Sequence, residues 1–139
     1  ARCLLKYYPS LGLNVPETVR LHTQSSPVPN VSGPTAYYEA PTVRQCPGID
    51  SDEIRAGVKK ALGPHWIEWR GDGAASVCAG ASGTFPLVSP RGSADAARRV
   101  LRMAKSHGAV NLLTACIAYR DHLSVYADEM GITVLQWGG

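Results

Sequence analysis

The chain has 139 residues, of which 45% are hydrophobic and 18% charged, and its formal net charge is +3. That length suits one domain with a single core, and the apolar fraction excludes global disorder. The charge is too small to indicate nucleic acid by itself, and no apolar run reaches the roughly 18 residues of a membrane span, so a soluble chain without membrane insertion is expected.

Seven of the ten prolines, from Pro9 to Pro47, lie before Gly48. Proline lacks a backbone donor and holds its predecessor extended, which excludes long helices and central strands from residues 1 to 48. This stretch therefore reads as an extended arm or edge segment, with residues 49 to 139 as an α/β domain. The arm is too apolar for a linker. Leu11, Leu13, Val15, Val19, Leu21, Tyr37 and Tyr38 all need cover, either from the chain's own domain or from a partner protein in a larger assembly.

Asp50 or Ser51 caps an expected helix whose apolar positions Ile54, Val58, Ala61 and Leu62 follow helical spacing until Gly63 and Pro64 end it. His65 to Trp69, the Arg70-Gly71-Asp72-Gly73 turn and Ala74 to Ala79 read as a β-hairpin, followed by a third, edge strand over Thr84 to Ser89. Gly80-Ala81-Ser82-Gly83 is not followed directly by a predicted helix, so it lacks the sequence context of a phosphate-holding loop.

Ser93 caps a second expected helix over residues 94 to 106, with Ala97, Val100, Leu101 and Ala104 on its buried stripe. The nearly uncharged run from Ala109 to Ala118 has the character of a strand buried on both faces. A third helix over Arg120 to Met130 and a strand over Ile132 to Trp137 complete the pattern. Helix, strand, helix, strand with short links implies neighbouring parallel strands. The expected fold is thus α/β, a small mixed sheet with an antiparallel start and a parallel end, flanked by about three helices.

Cys3, Cys46, Cys78 and Cys116 contain no CxxC pair, which argues against zinc and thioredoxin-type chemistry and for reduced structural thiols in a reducing compartment. The first residue is Ala1 rather than Met, an expectation of processing or excision. Arg98, Arg99, Arg102 and Lys105 form a basic stripe on the second helix, with Arg91 just upstream, suited to phosphates or to an acidic protein surface. His107, Cys116 and His122 fall at one helix end, near one strand end and within the next helix, a placement from which they could converge. Cys116, just before a helix start, is one candidate nucleophile, with Cys78 as another and His107 or His122 as base.

The Gly-Asp turn, followed by strands, a helix, Val110 to Thr114, a helix and Gly131-Ile132-Thr133-Val134-Leu135, resembles the restriction-endonuclease-like fold of the Mrr type over about residues 54 to 137. The resemblance implies a metal-binding Asp, here Asp72, and a following Glu/Gln-x-Lys. Phe85-Pro86-Leu87-Val88-Ser89-Pro90-Arg91 stands in place of the latter, so the metal site is expected to be lost. The leading expectation is a non-enzymatic assembly subunit that docks by its arm and basic helix, with no cofactor and no metal. The alternatives are a nuclease-like or nucleic-acid-binding module using Asp72, and a cysteine-dependent enzyme centred on Cys116.

Overall fold

The computed structural model describes residues 29–44, 50–71, 73 and 76–137. Leu11, Leu13, Val15, Val19 and Leu21 of the expected arm lie outside them, as do Asp72, Cys3 and Cys46. The elements are β1 (Thr35–Tyr38), the single turn α1 (Pro41–Arg44), α2 (Ser51–Leu62), a 3-10 turn (Gly63–His65), the short α3 (Phe85–Val88), α4 (Pro90–Ser106), β2 (Asn111–Thr114), α5 (Ile117–Ala127), a second 3-10 turn (Asp128–Met130) and β3 (Thr133–Gln136).

The fold is α/β, and its three strands form one parallel sheet in the order β1-β2-β3, with Thr35 opposite Asn111 and Asn111 opposite Thr133. Among the described residues no antiparallel start is seen. Where a hairpin is expected, Trp66 makes a parallel bridge to Thr35 on the free side of β1, and the Ile67 N–H donates to Thr35 O at 3.1 Å. No regular ladder follows among the described residues from Ile67 to Thr84. The third expected strand is α3, because Pro86 falls in the first turn of a helix, where its missing donor costs nothing.

β1 thus has neighbours on both sides, although proline excludes a central strand from this stretch in the sequence reading. Pro34 and Pro41 bracket the strand without entering it, so its four residues keep all their donors. Tyr37 and Tyr38, expected to face a partner, are instead fully buried within the fold. Strand alternation explains how: Ala36 and Tyr38 enter one core cluster with Leu112, Val100, Leu101 and Leu123, while Tyr37 enters the other with Leu113, Val58, Leu62 and Trp137.

The two clusters are the two faces of the sheet. α2 covers one, capped at its start by Asp50, whose side chain accepts from the Asp52 and Glu53 N–H groups, and closed by Gly63 at φ 51°. Its buried residues are Val58 and Leu62; Ile54 is half-buried and Ala61 faces solvent. α4 and α5 cover the other face. α4 starts earlier than the apolar stripe suggests, at Pro90, so Ser93 lies inside the helix and buried rather than at its cap. β2 is shorter than the apolar run 109 to 118, because Cys116 already serves as the N-cap of α5. Among the described residues no helix is long and apolar enough to cross a membrane.

This topology fixes where a ligand crevice belongs. The chain leaves β1 across one face, through α2, toward Trp66, and reaches β2 across the opposite face, through α4. Connections that diverge from adjacent parallel strands leave a gap beyond the carboxyl ends of those strands. Here that gap lies beyond Tyr38 and Thr114.

Candidate functional site

The residues that gather beyond Tyr38 and Thr114 come from the ends of β1 and β2, the irregular segment 76–84, and the first turns of α4 and α5. The Tyr38 hydroxyl donates to Val77 O at 2.8 Å and accepts from the Ala79 N–H at 3.0 Å, fixing the irregular segment to the strand end. Glu39, immediately after β1, has 0% exposure. Its Oε2 accepts from the Gly73 N–H at 3.1 Å, and its Oε1 lies 3.3 Å from Arg44 Nε, a charge contact without hydrogen-bond alignment. Arg44 also donates to Gly73 O at 2.9 Å, and the Glu39 N–H to Gly71 O at 3.3 Å. The buried charge is thus compensated, and it clamps the Gly71 to Gly73 turn to the sheet.

Cys78 stands on the segment so positioned. Its Sγ lies 3.4 Å from Tyr119 Oη, accepts from the Gly80 N–H at 3.4 Å and is 3.8 Å from Ser82 Oγ. Ser82 Oγ and Tyr119 Oη are themselves 2.5 Å apart. The residue remains exposed. Burial of the sulfur opposes ionisation, but its hydrogen bonding with Tyr119, Gly80 and Ser82 more than offsets it, so the thiol falls below its ordinary value of 9.0. Tyr119 moves the other way: burial first, and then its hydrogen bond with Cys78, hold the phenol protonated well above 10.0. With the thiolate present, Tyr119 is therefore the donor.

A second layer holds this cluster in place. Gly80 adopts φ +90°, and a Cβ there would stand 2.5 Å from Ser93 O, so only glycine fits. Ser93 Oγ donates to Gly80 O at 2.9 Å, and His122 Nε2 lies 3.2 Å from Ser93 Oγ and 3.3 Å from Ser93 O. Buried Ser93 thus ties α4 to the segment, with His122 from α5 behind it.

His122 is brought to this end of the molecule, behind Ser93. His107 is not: it precedes β2 while Cys116 follows it, so the strand separates them, and the expected convergence of His107, Cys116 and His122 does not occur. His107 Nδ1 sits 2.8 Å from Met103 O at the end of α4. The Cys116 thiol is half-buried against the α4 and α5 core cluster. Among the described residues no group of three or more His, Cys, Asp or Glu side chains is placed to hold a metal ion.

The basic stripe divides in two. Arg98 pairs with Glu129 through bonds of 2.9 and 3.1 Å and lies over the Tyr126 ring at 4.7 Å, and Lys105 donates to Met130 O. Both therefore tie α4 to the end of α5. Arg91, Arg99 and Arg102 remain exposed.

Glu39, Ser82, Ser93 and Tyr119 were not singled out by sequence reasoning. The one available signal was Cys78-Ala79-Gly80-Ala81-Ser82-Gly83, whose small residues let the backbone approach closely. No protein-family model matches the chain, and no curated protein matches it.

Proposed function

We propose that the protein acts through the thiolate of Cys78, as a cysteine-dependent catalyst with its reactive sulfur beyond the carboxyl ends of the parallel strands. The observation that carries this reading is the exposed Cys78 Sγ ringed by the Tyr119 hydroxyl, the Gly80 N–H and the Ser82 hydroxyl. Donors arranged around a sulfur favour the thiolate, which is the nucleophilic form. The sulfur lone pair forms a bond to an electrophilic carbon of a substrate, and the leaving group departs with the electrons of the bond that breaks. Tyr119 keeps its proton and positions the sulfur. The reading moves the nucleophile of the cysteine-dependent alternative from Cys116 to Cys78.

The test is the pH profile of iodoacetamide alkylation, followed residue by residue by mass spectrometry. Cys78 should react first, with its rate rising through a midpoint below 9.0, because the lowered pKa enriches thiolate at neutral pH. Tyr119→Phe should move that midpoint up and slow the neutral-pH rate several-fold. A Cys78 that reacts no faster in the native chain than in the denatured one would remove the proposal.

A second reading is the assembly subunit. It is supported by the apolar tip of α3, where Leu87 and Val88 are 82% and 79% exposed, and by the free arginines Arg91, Arg99 and Arg102 at the start and along the side of α4. Co-purification of a partner that is lost in a Leu87→Ser, Val88→Ser double variant, but retained in Cys78→Ser, would favour it over catalysis. The nuclease-like alternative depends on Asp72, and Mg²⁺-dependent cleavage abolished by Asp72→Ala is its test.

A further inference from the structure

We infer that Cys78 and Cys116 are a peroxide-responsive pair, Cys78 being the thiol that is oxidised and Cys116 the one that resolves it into a disulfide across the carboxyl end of the sheet. The inference rests on the reactive thiol proposed above and adds a partner and an oxidant to it.

Tyr119 neighbours Cys78 in space and Cys116 along the chain. Cys78 Sγ lies 3.4 Å from its hydroxyl. Cys116 is the N-cap of α5 and precedes Tyr119 by three residues, which places both on one side of the first helical turn. Val77 and Ala81, on either side of Cys78 in the chain, pack with Cys116 against the same core cluster. Both thiols stand close enough to Tyr38 and Tyr119 to raise the cost of ionising either phenol, after burial itself. The two sites also differ as an oxidised and a resolving thiol must. Cys78 is exposed and hydrogen-bonded, whereas Cys116 is half-buried at a helix start.

The chemistry balances in two steps. The Cys78 thiolate attacks one oxygen of a hydroperoxide, forming an S–O bond and breaking the O–O bond, and the displaced alkoxide or hydroxide leaves as alcohol or water after taking a proton. The Cys116 thiolate then attacks the Cys78 sulfur, forming the S–S bond and breaking the S–O bond, and hydroxide leaves with the Cys116 proton as water. Two electrons pass from the thiol pair to the peroxide. Closure needs the two Cα atoms within about 7 Å. The irregular backbone around Cys78, with glycine at φ +90° and +57° at positions 80 and 83, is the element that adjusts.

The experiment treats the full chain with one equivalent of hydrogen peroxide, blocks free thiols with iodoacetamide and maps non-reduced peptides by mass spectrometry. The expected product is a peptide pair joined through Cys78 and Cys116, absent from Cys78→Ser and from Cys116→Ser. In Cys116→Ser a cyclic diketone such as dimedone should label Cys78, which confirms the sulfenic intermediate. A link from Cys78 to Cys3 or Cys46, or a link between two chains, would overturn the pairing. So would a Cys78 that alkylates fast yet yields no link, an outcome that leaves the thiol reading standing. A Cys78 that neither alkylates fast nor oxidises would end both.

Discussion

Between Pro90 and Gln136 the backbone is satisfied by regular structure: α4 and α5 form their own ladders, β2 pairs in register with β3 and with β1, and Val100, Leu101, Leu112 and Leu123 bury the interface. Between Trp66 and Thr84 regular pairing stops after a single bridge, and side chains take over. The Trp69 indole donates to Tyr37 O at 2.8 Å where a strand would offer an N–H, Tyr38 bonds both Val77 and Ala79, and Glu39 holds Gly73. The first region is held by apolar burial that is hard to perturb at one point; the second depends on a few polar contacts, each of which is a large share of what fixes it. The candidate site lies where the second region rests on the first, so its geometry is borrowed from the packed half.

One substitution tests the support that the two regions share, and two test the irregular region alone. Leu123→Ala removes a fully buried side chain between α5 and the sheet and should lower stability by about 3 kcal/mol, measured by urea unfolding, with both regions lost together. Glu39→Gln keeps the shape but removes the charge that Arg44 faces, and should cost about 2 kcal/mol. Its sharper signature is new proteolytic cleavage between residues 66 and 84 under conditions where residues 90–137 stay protected, and cleavage spread evenly over both regions would deny the contrast drawn here. Gly80→Ala should cost the least, about 1–2 kcal/mol, because the segment shifts away from Ser93 O rather than unfolding. The same shift separates Cys78 from its donors, so fast alkylation of Cys78 should be lost while the unfolding midpoint moves little.

The packed half was legible in the sequence because one period decided each element. Ala97, Val100, Leu101 and Ala104 repeat at helical spacing, and AVNLLTACIA carries no charged residue, so α4 and β2 follow from local pattern. The irregular half was misread for a reason equally local. Trp66 and Ile67 flanked by polar neighbours and a Gly-Asp-Gly turn are what a hairpin shows, yet the partner that Trp66 finds is Thr35, 31 residues back, and no period records a long-range bridge. Tyr37 and Tyr38 were misplaced by the prolines around them, which mark the limits of β1 rather than forbid it. Of the site, Cys78 and His122 were visible as residue types. Tyr119 was not, because a tyrosine in the first turn of an amphipathic helix has the same pattern whether its hydroxyl meets water or a sulfur.

β1 stands between Trp66 and β2, yet its partner in β2 lies far along the chain, Thr35 facing Asn111. During synthesis, therefore, β1 leaves the ribosome long before its main partner exists. Until then, among the described residues, α2 can cover Tyr37, while the face that carries Tyr38 still lacks α4 and α5. Such distant pairing is entropically late, so assembly waits for α4 and β2 to form first and offer a template. The sulfur site, anchored through Tyr38 and Tyr119 on opposite sides of that late step, comes into being only when folding is complete.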